Sequence, residues 1–241
     1  MKFIYLKIAV IFLMSGNLYG FSTTNIQYLY GSFDGNTGID TQNGGKSTVT
    51  LEHYSTNPIG DLYGFADYSV ADDRYKGSDK KSDLYFEISP RVSLNKVSGK
   101  NLSFGIFKDW YLSAQYNRKV HKFDDYIAYL YGAGTNLDLP GFNVFGVNFY
   151  KKDKNGSLND TYQLTLNYKS IDMFGTKFMF NGFADFTEDD TMIQNQLSYR
   201  LPHIDSLGDS KVYLGTEWIY YTLKHTSKVS NTLQVMLKVV W

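Results

Sequence analysis

The chain has 241 residues, with 24 basic against 24 acidic side chains, no cysteine, 17% aromatic residues and a mean hydropathy of −0.32. Without cysteine there is neither a disulfide framework nor thiol chemistry, and without a basic block there is no footprint for nucleic acid. Past the first twenty residues no stretch approaches the ~20 consecutive apolar residues of a membrane helix, which leaves a soluble β-sandwich or a membrane barrel, whose alternating strands keep hydropathy low.

Residues 1 to 20, "MKFIYLKIAVIFLMSGNLYG", carry Lys2 and Lys7, then the apolar run Ile8 to Met14, then small and polar residues. That is the layout of a signal peptide, with cleavage expected after Gly20 and a mature domain over 21–241. Period-2 alternation then recurs in twelve segments, near 23–31, 46–55, 62–70, 83–93, 106–117, 125–138, 143–151, 160–169, 177–187, 192–201, 211–222 and 231–241. Most approach the ~9–11 residues that a tilted strand needs to cross a bilayer, and an even number suits a closed barrel with both ends in the periplasm. No helix-period segment or repeat interrupts them.

The connections sort into two alternating kinds. "GSFDGNTGIDTQNGGK", "VADDRYKGSDKKSD", "NRKVHKFDD", "KKDKNGSLND" and "TEDDT" are charged or rich in Gly and Asn, and read as hydrated outer loops. "TNPIGD", "LPGF" and "SIDMFGT" hold turn residues with few charges, and read as periplasmic turns; "NKVSGKNLSF" and "PHIDSLGDS" are longer. A sandwich has no reason to sort its loops this way. The expected fold is all-β: a transmembrane antiparallel β-barrel of about twelve strands.

Apolar parity then faces lipid and polar parity the lumen. In 192–201, Ile193, Leu197, Tyr199 and Leu201 point out, leaving Gln194, Gln196, Ser198 and Arg200 inside. Across all strands the rule places Glu52, Asp67, Glu87, Arg91, Asp138, Asp185, Arg200, Glu217 and Lys238 in the lumen. Both signs are present, which argues against simple selection of one ion sign. Tyr54, Tyr63, Phe65, Tyr85, Phe183, Tyr213 and Tyr221 share that parity. Rings interleaved with carboxylates suit a solute with a flat apolar face and a hydroxylated edge, such as a nucleoside or sugar; plain space-filling is the alternative.

The stretch "DLYFEISPRVSLNKVSGKNLSFGIFKDWYL", residues 83 to 112, with "TVTLEHYS", "YLYGAGTNLDLPGF", "FNGFADF" and "VYLGTEWIYY", resembles the Tsx-like family of nucleoside-specific channel-forming outer-membrane proteins. The likeness runs in order from about Ile26 to Trp241, and S-P-R-x-S-L and L-D-L-P-G-F are its more specific blocks. It implies a monomeric twelve-stranded barrel in the bacterial outer membrane that passes nucleosides passively, with Phe65, Asp67, Glu87, Arg91, Phe183, Asp185 and Glu217 in its pore. The loops "GIDTQNGGK" and "DDRYKGSDKKSD" match no family pattern, so the phage and colicin receptor roles of enterobacterial members do not transfer.

Enzymatic chemistry is not expected. "EHYSTN" offers His53, Ser55 and Asn57 on one outward-facing parity, but residues two apart on a strand have Cβ atoms roughly 6.5–7 Å apart, too far for a nucleophile and its base. The four histidines show no ligand spacing, and the adjacent acids Glu188, Asp189 and Asp190 suit a solvated loop better than a Ca²⁺ site, so neither a metal nor a cofactor is expected. The last segment, "NTLQVMLKVVW", is apolar at every odd position from Leu233 to Trp241. It reads as the closing strand, with Lys238 inward and Trp241 at the periplasmic interface, as a terminal aromatic recognised by barrel-assembly machinery. The rival reading is a non-conducting barrel, its lumen closed by paired charges, that serves a structural or surface-contact role.

Overall fold

The computed structural model of the chain describes residues 20–33, 44–71, 82–120, 125–155, 160–225 and 229–241. The segment expected to be a signal peptide and most of the charged loops lie outside the described residues. Twelve strands are described: β1 (Phe21–Phe33), β2 (Gly44–Asn57), β3 (Gly60–Ala71), β4 (Ser82–Ser93), β5 (Phe107–Val120), β6 (Tyr126–Leu137), β7 (Phe142–Lys154), β8 (Thr161–Ser170), β9 (Phe178–Thr187), β10 (Asp190–Arg200), β11 (Lys211–Leu223) and β12 (Val229–Val240). Each pairs antiparallel with its neighbours in sequence, and β1 pairs with β12, closing the sheet and leaving no edge to attract another chain. The transmembrane barrel expected from the alternation is therefore the fold.

The seam runs to the end of the chain. Asn25 sits opposite Val240 and Gly31 opposite Gln234, and the Trp241 backbone exchanges hydrogen bonds with Thr24 at 2.9 and 3.0 Å. Odd residues of β12 from Val229 to Leu237 are exposed while even ones from Ser230 to Lys238 are buried, so the period of two puts one set toward lipid and the other inside. Outward rings gather near both rims: Phe149 on Tyr162 at the outer end, and Phe145 on Tyr168 and Tyr168 on Phe180 toward the periplasmic end, all stacked. These are the aromatic girdles of a membrane barrel.

The periplasmic connections are specified locally. In the turn from β2 to β3, the Asn57 side-chain oxygen accepts the N–H groups of Ile59 and Gly60, each at 2.9 Å. A Cβ on Gly60 would lie 1.8 Å from the Arg91 carbonyl oxygen, so only glycine lets β3 start against β4. The longer connection after β4 is not the helix-free segment that the periodicity predicts. It holds α1 (Leu94–Ser98), with the Ser93 hydroxyl accepting the Lys96 N–H as N-cap and Gly99 at φ 64° ending it. Five residues are too short to register as a helical period. Single 3₁₀ turns at Met173–Gly175 and Asp205–Leu207 occupy two of the three remaining periplasmic connections, after β8 and after β10.

Candidate functional site in the barrel lumen

The inward set converges from most of the strands onto two unlike stretches of wall. On one of them, β3 and β4 contribute a row of rings: Phe65 lies between Tyr63 and Tyr85, with centroids 6.1 and 5.8 Å away in tilted geometry. Carboxyl groups alternate with these rings, each held by few donors. The Thr50 hydroxyl donates to Asp67 at 2.6 Å and the Thr165 hydroxyl to Asp185 at 2.6 Å. Glu87 takes the Tyr85 hydroxyl and the Gln115 amide, the latter at 2.8 Å. A carboxylate accepts at about four positions, so each retains capacity for a solute hydroxyl.

Glu87 on β4 and Asp185 on β9 stand five strands apart in a ring of twelve, so the two inward carboxyl groups come from nearly opposite sides of the barrel. The two acids therefore face one another across the lumen, with Lys152 of β7 acting on both. Phe183, two residues before Asp185 and directly opposite Gln194 in register, shares this inward face. Phe65, Asp67, Tyr85, Glu87, Phe183 and Asp185 are all half-buried, so each presents some surface to the lumen.

The other wall, built by β10, β11, β12 and β1, is bonded into itself. Glu217, 4% exposed, accepts three amides: Gln194 and Gln196 at 2.7 Å on Oε2, and Gln234 at 2.9 Å on Oε1. The same Gln196 amide reaches Gln27 Oε1 at 2.8 Å, and Lys238 Nζ donates to Gln196 Oε1 at 2.6 Å. Gln27 donates to Asn25, Asn25 to Glu52 and Tyr63 to Glu52, at 2.8, 2.8 and 3.1 Å. Glu52 thus joins the bonded wall to the ring-lined one.

The model of the family described as nucleoside-specific channel-forming protein, Tsx, matches residues 25–214. The chain belongs to this family. Among its relatives, the nucleoside-specific channel-forming protein Tsx of Salmonella typhimurium is 33% identical over 144 residues, covering 52% of this chain and 50% of the relative. Outer membrane protein OmpK of Vibrio parahaemolyticus is 29% identical over 154 residues, covering 57% and 55%. The chain spans about half the length of the curated relatives it matches. Among solved structures, the KdgM porin in complex with disordered oligogalacturonate has a TM-score of 0.49 at 11% identity, covering 89% of this chain and 97% of the other. Pseudomonas aeruginosa OccK5 (OpdH) has 0.40 at 7% identity, covering 91% and 97%.

The residues of the ring-lined wall, Phe65, Asp67, Tyr85, Glu87, Phe183 and Asp185, all lie inside the span that matches the Tsx family, whereas Glu217, Gln234 and Lys238 lie beyond it. Other predicted residues stand apart from either wall. Arg91 is a brace: it grips Asp61 through two hydrogen bonds of 2.8 and 2.7 Å, donates to Asn136 at 3.1 Å, and lies 4.1 Å over the Tyr111 ring. Tyr54 lies toward the periplasmic end, 6.3 Å from the Phe21 ring. Arg200 ends β10 and pairs with Asp172 of the β8–β9 turn at 2.8 Å, at the mouth rather than mid-lumen. Asp138 is a correction: β6 stops at Leu137 where the Pro140–Gly141 turn begins, so Asp138 is exposed and paired with Lys108 at 2.7 Å.

Asp61 and Lys152 were outside the predicted set, each one residue beyond a predicted strand end; one more step of the same alternation would have found both. With Arg91 and Arg200 each held by its own acid, the inward carboxyl groups Glu52, Asp67, Glu87, Asp185 and Glu217 are faced by Lys152 and Lys238. Among the described residues Lys46 also acts on Asp67 and Lys169 on Lys238, so the lumen keeps charges of both signs, as parity suggests.

The His53, Ser55 and Asn57 constellation is dispersed. His53 Nδ1 shares a hydrogen bond of 2.8 Å with the Thr24 hydroxyl, buried on the outer face opposite Gly64, and Asn57 is spent on its turn. In the turn between β9 and β10, Asp189 accepts Lys154 Nζ at 2.9 Å, a hydrogen bond that holds its carboxyl below the usual range, while Asp190 accepts the Thr187 hydroxyl at 2.6 Å.

Proposed function

We propose that this outer-membrane barrel conducts small hydrophilic solutes, nucleosides foremost, by facilitated diffusion. The observation that carries the reading is the half-buried wall where the Tyr63, Phe65 and Tyr85 rings alternate with Asp67 and Glu87, facing Phe183 and Asp185. A nucleobase stacks on such rings whatever its identity, and ribose hydroxyls donate to the carboxylates. Several weak sites in succession let a solute bind well enough to enter and poorly enough to leave. Within this reading Glu52, Glu217 and Lys238 shape the opposite wall, Arg91 and Tyr54 the periplasmic half and Arg200 the exit, and Trp241 is what assembly machinery reads on a monomeric barrel.

The buried amide network around Glu217 favours a second reading, a barrel closed at mid-height whose role is structural or in surface contact. Liposome swelling separates the two. Proteoliposomes should swell faster in isosmotic adenosine or thymidine than in sucrose. Equal rates for all three, matching protein-free vesicles, would leave only the closed barrel.

A further inference from the structure

The connection between β4 and β5 has the wrong polarity for a loop in water. Its polar side chains are spent inward on its own backbone: Asn95 accepts the Leu102 N–H at 3.0 Å and donates to the Lys108 carbonyl at 3.1 Å, Asn101 accepts the Ser103 N–H at 3.0 Å, and Ser98 donates to the Leu94 carbonyl at 2.6 Å. Phe104 and Phe107 then exchange two backbone hydrogen bonds of 2.9 Å. A segment fixed this thoroughly could have turned its apolar side chains in. Instead Phe104 is 75% exposed, and Val97, Leu102 and Ile106 are exposed as well. Solvent-facing loops rarely concentrate apolar surface in this way.

The segment also lies on the lipid side of the barrel. Trp110 occupies the outward parity of β5, its indole N–H donates to the Leu102 carbonyl at 3.2 Å, and its ring stacks on Phe107 with centroids 5.0 Å apart. The apolar surface of the flap is therefore continuous with the lipid-facing wall. Its charge fits as well: residues 94 to 106 hold no acid, Lys96 donates to the Asn57 and Gly60 carbonyls at 2.9 and 3.0 Å, and Lys100 is exposed. Apolar side chains flanked by lysine match a phospholipid interface, acyl boundary below and phosphates above. The turn after β8 shows the same bias: Phe174 holds φ 53°, in the left-handed region that bulky residues seldom adopt, with its ring 92% exposed.

We infer that the segment 94–106 is a membrane-docking flap that lies on the periplasmic leaflet, seating Phe104 and Ile106 at the headgroup boundary and Lys100 among the phosphates. Its partner is phospholipid, and its effect is to set the depth of the barrel rather than to meet the solute.

A bimane label on Phe104→Cys, in full-length protein refolded into phosphatidylethanolamine and phosphatidylglycerol vesicles, tests this, with the label on Asp205→Cys in another periplasmic turn as the aqueous reference. The label at 104 should be quenched severalfold more by headgroup-proximal nitroxide lipid than the label at 205, and should be shielded from iodide. Lys100→Glu should reduce that lipid quenching. Equal iodide access at both sites would overturn the inference. So would shielding at 104 without lipid quenching, since a second copy or another protein would then cover the flap. Ile106→Cys gives the same reading should the first variant not refold.

Discussion

Asp67 and Glu217 are both carboxyl residues on the inward face of the same barrel, yet they sit in opposite kinds of wall. Glu217 is surrounded by three glutamine amides, one of which also meets Gln27, and is sealed from solvent. Asp67 has the Thr50 hydroxyl and stands half-buried in the wall that carries Phe65. A group whose hydrogen-bonding capacity is filled by the protein holds the tube together. One with capacity left beside a ring is where the proposed conduction would bring a solute. Chemical type and strand parity do not distinguish the two; the number and rigidity of the donors do.

The sharpest way to break this contrast is to remove each acid in turn. Glu217→Ala takes the shared buried acceptor from three amides, of which only that of Gln196 keeps another partner, so unfolding by urea in lipid vesicles should show a loss of about 3–5 kcal/mol, whereas Asp67→Ala should lose about 1 kcal/mol. Equal losses would erase the distinction. The braces should divide in the same way: Asp61→Ala leaves the Arg91 guanidinium without its bidentate partner and should cost about 3 kcal/mol, while Asp172→Ala, which frees half-exposed Arg200, should cost less than about 1 kcal/mol.

The seam belongs to the bonded wall, so deleting Trp241 removes two backbone hydrogen bonds to Thr24 and an interfacial ring. About 2 kcal/mol should be lost, seen as a smaller heat-modifiable folded fraction, while the conductance of molecules that do insert stays unchanged. At the bottom of the scale, Lys108→Ala breaks the exposed pair with Asp138 and should change stability by less than about 0.5 kcal/mol.

The barrel was legible because alternation is a local property: a step of two along β8, β10 or β12 assigns each side chain to lipid or lumen without knowledge of any partner. The bracing was not legible. Asp61 meets Arg91 because the β3 and β4 register sets them directly opposite, and the Gln196 to Gln27 bond joins residues 169 apart that only closure of the barrel brings together. Arg91, Arg200 and Glu217 therefore looked like one class with Asp67 and Asp185, although the structure commits the first three to protein partners. The flap after β4 escaped because one helical turn leaves no period to detect.

The claim that the ring-lined wall is where solute travels is tested most directly by nucleoside block of single-channel current in planar bilayers. Adenosine should reduce the current of the unaltered protein in a saturable way, and Phe65→Ala with Phe183→Ala should weaken that block by about tenfold, the loss of roughly one stacking contact, while Gln234→Ala leaves the block constant unchanged. Block that is indifferent to the two rings and sensitive to Gln234 would contradict the account.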